Sequence, residues 1–153
     1  MLRIVQQPAP EPQLITLEPM LLAGIRAAGD EAGGAAHWER FRSWLDGGIE
    51  TAVEPAPVVA YVPPLPFGSV RTVELLVPVT VAPQVDAPDI VVRTLGGRFV
   101  LASGDRSGAG EMLRAARAFA SAHGLAFERG SIEIYRPGDG ESVRVEAGVR
   151  IHD

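Results

Sequence analysis

Apolar and polar positions along this chain follow two rhythms, period two and period near 3.6, and the same succession of them occurs twice. Leu14-Ile15-Thr16-Leu17 reads as a short apolar strand, Glu18-Pro19 as a turn, and residues 20–28 as a second strand ending at Gly29. Ile90-Val91-Val92-Arg93-Thr94-Leu95, then Gly96-Gly97, then residues 98–102 before Gly104 repeat that order. The offset is 76 at Leu14/Ile90 and 75 at Gly29/Gly104. Pro and Gly between the apolar runs are the chemistry of strands folded back on each other.

A helix is predicted next in each half. Trp38, Phe41 and Leu45 recur at i, i+3, i+7 before Gly47-Gly48. Met112, Ala116, Phe119 and His123 recur at i, i+4, i+7, i+11, with Leu113 and Ala120 beside them. Gly124 followed by Leu125 is the pattern of a left-handed glycine cap with its apolar contact. Two further strands close each unit. Residues 57–62 correspond to 131–135, with Tyr61 and Tyr135 offset by 74, and residues 70–79 correspond to 142–151. Residues 63–68 and 136–141 join these last strands, and 83–88 link the halves.

Each half therefore reads strand–strand–helix–strand–strand. Two copies, about 13–80 and 89–151, predict an α+β fold with an antiparallel sheet of about eight strands and two helices. A unit near 75 residues buries too little apolar area alone, so the halves are expected to share one core in a single domain, 1–153.

Composition then removes chemistries. All 14 basic residues are Arg, and Cys is absent. No disulfide, thiolate nucleophile or sulfur-ligated metal can form, and neither can a Schiff base or a Lys-dependent phosphate loop. A formal charge of -5 repels a nucleic-acid backbone on average, so no direct nucleic-acid partner is expected. The apolar stretch at 73–81 is interrupted by Glu74 and Pro78 and is too short to span a membrane. Met1-Leu2-Arg3-Ile4-Val5-Gln6-Gln7 shows no basic region before a long apolar run, so no signal peptide is read and a cytoplasmic location is expected.

Few residues remain as candidates. Strand alternation places Ile132 and Ile134 on one face and Glu133 with Tyr135 on the other. A carboxylate beside an aromatic ring suits a lipophilic cation, although a strand carboxylate by default faces solvent or pairs with an Arg such as Arg144 or Arg150. Trp38 and Trp44 on one short helix exceed what core packing requires, which makes one of them a candidate pocket wall. His37, His123 and His152 fall on different elements without metal-ligand spacing, so no metal site and no cofactor are expected. The segment 104–111 reads as the start of a helix, with Ser107 or Gly108 as cap and Glu111 in the first turn. Asp86 and Asp89 read as turn residues.

The repeat, together with Val92-Arg93-Thr94-Leu95-Gly96-Gly97-Arg98-Phe99-Val100, Gly104, Glu133-Ile134-Tyr135 and Val73-Glu74-Leu75-Leu76-Val77-Pro78-Val79, resembles the GyrI-like effector-binding domain. This is the ligand-sensing module of AraC-type and MerR-type multidrug regulators. The resemblance implies a pseudo-twofold fold around a central pocket for hydrophobic, often cationic compounds. It makes Glu133 the pocket carboxylate and Tyr135 its aromatic neighbour, with Tyr61 and Trp38 as further pocket residues. The sequence departs from the family at Arg136-Pro137-Gly138-Asp139, where Asp-Pro is usual, and in lacking a closing Pro in the final strand.

About a dozen residues precede the first strand, too few for a helix-turn-helix module, so a stand-alone effector-binding domain is expected. The expected function is uptake of hydrophobic, cationic aromatic small molecules through Glu133, Tyr135, Tyr61 and Trp38, with no catalytic residue. The alternative is a small hydrolase of strained electrophiles, such as cyclopropane-bearing antibiotics, in which Glu133 acts on water or substrate. A third reading is a gyrase-inhibitor-type interaction protein. Ligand identity, a protein partner and homodimerisation stay open.

Overall fold

The structure, a computed structural model, describes residues 11–66, 68–84, 87–137 and 143–152. The amino-terminal residues 1–10, Phe67, Asp86, residues 138–141 and Ser142, all used in the sequence reading, lie outside the described residues.

Six strands and two helices follow in the order β1 (Gln13–Ala28), α1 (Ala35–Asp46), β2 (Val58–Val62), β3 (Thr72–Pro78), β4 (Ile90–Asp105), α2 (Ala109–Ala122), β5 (Ser131–Pro137) and β6 (Val143–Arg150). All pairings are antiparallel, and the sheet closes on itself as β1-β3-β2-β5-β6-β4. The α+β class, the antiparallel sheet and the two helices agree with the sequence pattern. The expected eight strands do not: among the described residues there are six.

The correction has a local cause. β1 and β4 each run for 16 residues, through the sites where Pro19 and Gly96-Gly97 were read as chain reversals. The two strands pair along both arms, with a register shift between Leu17 and Met20. Pro19 removes one ladder donor there, and a Cβ on Gly96 would stand 2.8 Å from the Pro19 Cα. Gly97 has a φ of 111°, open to glycine at little cost. Pro and Gly here bend continuous strands across from each other instead of ending them.

Alternation sorts the side chains into two faces. Leu22, Val59, Leu76, Phe99, Ile132 and Ile134 meet inside the barrel and fill it. The expected central pocket is therefore not the barrel lumen. Outward-facing Ala23, Ile25, Val73, Leu75 and Val77 receive α1 through Phe41. Outward-facing Val100, Val149, Ala102 and Val145 receive α2 through Met112, Ala116 and Ala120. His37 anchors α1: the Gly33 N–H donates to its Nδ1 at 2.9 Å, so Nε2 carries the proton and donates to the Ile25 carbonyl at 2.8 Å. Among the described residues, no helix is long and apolar enough to cross a membrane.

Candidate functional site

On β5, Ile132 and Ile134 point into the barrel and are each 2% exposed. The intervening Glu133 and Tyr135 face outward, toward the side that carries the helices. In register beside them on β2 are Ala60, opposite Glu133, and Val58, opposite Tyr135. Small Ala60 leaves room where a larger side chain would fill it. Trp38 from α1 and Leu113 from α2 close over this patch, and Val73 and Leu75 of β3 complete its floor. The result is a cavity of about 200 Å³ in the seam between the two helices.

The polar content of this cavity is small and ordered. The Tyr135 hydroxyl donates a hydrogen bond to Glu133 Oε2. Burial, and then the bond to Glu133, push the Tyr135 hydroxyl well above its usual range, so it stays a protonated donor. Glu133 has no ion-pair partner among the described residues. Trp38 meets Tyr135 edge to face, with centroids 5.5 Å apart and planes at 88°. Trp38 is itself held edge-on by Phe41 at 6.1 Å.

Above these rings lies a cation. The Arg106 guanidinium carbon sits 5.8 Å from the Trp38 centroid and 5.8 Å from that of Tyr135. Arg106 belongs to the short turn before α2, where Asp105 accepts a hydrogen bond from the Ser107 N–H at 3.0 Å. Its side chain is exposed, so it covers the rings from the solvent side. Arg71 also borders the cavity, with Nη1 donating to the Ala32 carbonyl at 3.4 Å. Two aromatic rings and a carboxylate without an ion pair can hold a flat cation: the rings attract positive charge through their faces and the carboxylate completes it.

Three of the four residues singled out from sequence, Glu133, Tyr135 and Trp38, line this one cavity. Tyr61 is not brought to it. Tyr61 is 5% exposed, points into the barrel with Val59, and stacks under Arg93 at 4.8 Å. Tyr61 and Tyr135, matched in the expected repeat, leave opposite faces of the sheet: Tyr61 lies with Ile132 and Ile134 inside, and Tyr135 lies outside. Sequence reasoning missed Arg106, Arg71 and Leu113. Leu113 carried a signal, since it borders the apolar stripe of α2, whereas nothing local to Arg106 points to Trp38. Among the described residues no group of three or more His, Asp or Glu is placed to hold a metal ion.

No known family's sequence profile matches the chain, and no curated protein matches it either. Solved structures do match in fold. The structure of SAV2435 bound to tetraphenylphosphonium aligns with a TM-score of 0.66 and 13% identity, over 93% of this chain and 94% of that one. The EcmrR C-terminal domain aligns with a TM-score of 0.71 and 10% identity, over 94% of this chain and 98% of that one. A hydrolase from Listeria innocua aligns with a TM-score of 0.58 and 14% identity, over 95% of this chain and 93% of that one.

Proposed function

We propose that this chain, which has the fold of the GyrI-like effector-binding domain, binds small, flat, cationic aromatic molecules in the seam between α1 and α2. The observation that carries the reading is the Arg106 guanidinium over both Trp38 and Tyr135, beside a Glu133 that accepts from Tyr135 and has no ion pair among the described residues. The rings already receive a cation, and an exposed Arg side chain is easily displaced by one with more apolar surface. That a protein of this fold is solved with tetraphenylphosphonium supports a lipophilic cation as the ligand class.

Size narrows the ligand. Sites for drug-sized molecules run to about 300–1,000 Å³. The cavity here, about 200 Å³, suits one or two fused rings, and larger ligands require Arg106 to swing outward. We also read the two halves as duplicates. The order strand–helix–strand–strand occurs twice, and exchanging the halves maps the ring of strands onto itself.

A second reading, a hydrolase, is favoured by one feature: the Tyr135 hydroxyl fixes the Glu133 carboxylate at the cavity wall, as a base for water would need. Turnover of a cyclopropane-bearing alkylator above that of a Glu133→Gln variant supports that reading, and equal rates remove it. For the binding reading, 1-methylquinolinium titrated into the protein quenches indole emission saturably, and Trp38→Phe abolishes the saturable part. Quenching that survives unchanged in Trp38→Phe contradicts a ligand against that ring.

A further inference from the structure

The inward face of the barrel is apolar over most of its length and turns strongly polar at one end. Arg26 of β1 and Tyr61 of β2 both lie in register with Glu74 of β3, so three polar side chains line up across three strands. Arg93 from β4, Arg150 from β6 and Glu128 complete the ring around a cavity of about 450 Å³. Residues 63–65, two prolines and Leu65, supply an apolar wall. This cavity opens on the opposite face of β2 and β3 from the helix seam, because Tyr61 and Glu74 alternate with the Ala60, Val62, Val73 and Leu75 that line the seam.

The charge here runs against that of the whole chain. Three guanidinium groups face two carboxylates, in a protein of formal charge -5. Nor are the carboxylates able to occupy all the donors. Glu74, 2% exposed, takes Arg93 Nε at 2.6 Å and Nη2 at 2.7 Å as a two-pronged pair. A guanidinium carries five N–H groups, so the Nη1 edge of Arg93 is left over, and this side chain is still 32% exposed. Its plane is fixed twice, by Glu74 and by the Tyr61 ring beneath it at 4.8 Å. Glu128 reaches Arg150 only at 3.6 Å. Arg26 has no ion pair among the described residues. A guanidinium oriented in advance, with two more alongside, is an arrangement for a planar anion.

We propose that this end of the barrel is a second ligand site, for a small organic carboxylate whose charged end meets Arg93 and Arg26 and whose apolar body lies on residues 63–65. The site is independent of the helix seam and takes ligands of opposite charge.

Benzoate and its neutral counterpart benzamide test it by NMR of the ¹⁵N-labelled protein. Benzoate shifts the amides of β1, β3 and β4 around Arg26, Glu74 and Arg93 saturably, whereas benzamide does not. Arg26→Gln, an exposed change that keeps the Glu74 pair intact, weakens benzoate about tenfold, the loss of one charged hydrogen bond. Glu133→Gln, in the other cavity, leaves benzoate affinity unchanged. Equal responses to benzoate and benzamide, an unaltered affinity in Arg26→Gln, or shifts confined to the helix seam each overturn the proposal.

Discussion

His37 shows how a single buried residue sets a condition for the whole fold. It is fully buried, accepts from the Gly33 N–H through Nδ1 and donates through Nε2 to Ile25, which only the neutral ring can do. Burial lowers its pKa below the ordinary histidine value of 6.5, with nearby Arg40 acting the same way. In the unfolded chain the ring titrates normally. As pH falls through about 6.5 the unfolded state therefore takes up a proton that the folded state refuses, and stability present above that pH is lost. Urea unfolding from pH 8 to 5 should show stability falling, with this ring contributing a slope of at most about 1.4 kcal/mol per pH unit. In His37→Gln that slope should flatten. An unchanged slope in the variant would place the effect elsewhere.

Residues differ in how far the sequence exposes their role. Glu133 and Tyr135 were legible because period-two alternation decides which face a strand residue takes, and both indeed leave the sheet on the side away from Ile132 and Ile134. Tyr61 obeys the same rule and for that reason points the other way from Ala60. Arg106 was not legible, because its position over Trp38 and Tyr135 depends on how two helices far apart in sequence lie on one sheet. Its place over the rings makes it a competitor of any bound cation. Arg106→Ala should tighten 1-methylquinolinium roughly two- to fivefold, the worth of an exposed cation–π contact. Calorimetry would reveal it, and weaker binding would mean that Arg106 holds the site together instead.

At the level of elements, helices were read more faithfully than strand ends. The stripe of α2 predicts its buried face well at Met112, Ala116 and Ala120, yet His123 is exposed, past the end of the helix. There the Leu125 N–H returns to the Ala120 carbonyl at 2.8 Å after Gly124. Pro19 and Gly96-Gly97 misled because local chemistry cannot distinguish a turn from a bend in a strand whose partner is bent at the same level. The partner here is distant along the chain: beside the bend, Leu17 pairs with Gly97 and Met20 with Leu95. The close approach of Gly96 to Pro19 also predicts a cost. Gly96→Ala should destabilise the protein by about 1–3 kcal/mol, since the Pro19 backbone must move away from the new methyl. A urea midpoint within error of the parent's would show that the two bends do not support each other.

For the whole molecule, closure of the strands into a barrel with a filled middle moves the ligand question to the helix seam outside and to one end of the barrel. One seam between helices gathers Trp38, Glu133 and Tyr135, and one barrel end gathers Arg26, Glu74 and Arg93. The central claim is that the first of these recognises charge as well as shape. Its most direct test is the affinity of 1-methylquinolinium relative to its uncharged counterpart 1-methylnaphthalene, measured in the parent protein and in Glu133→Gln. Removing a carboxylate that faces the ligand cation should lower that ratio about tenfold, close to 1.4 kcal/mol, with affinity for the neutral compound nearly unchanged. A ratio that stays the same in Glu133→Gln would contradict charge recognition at this site.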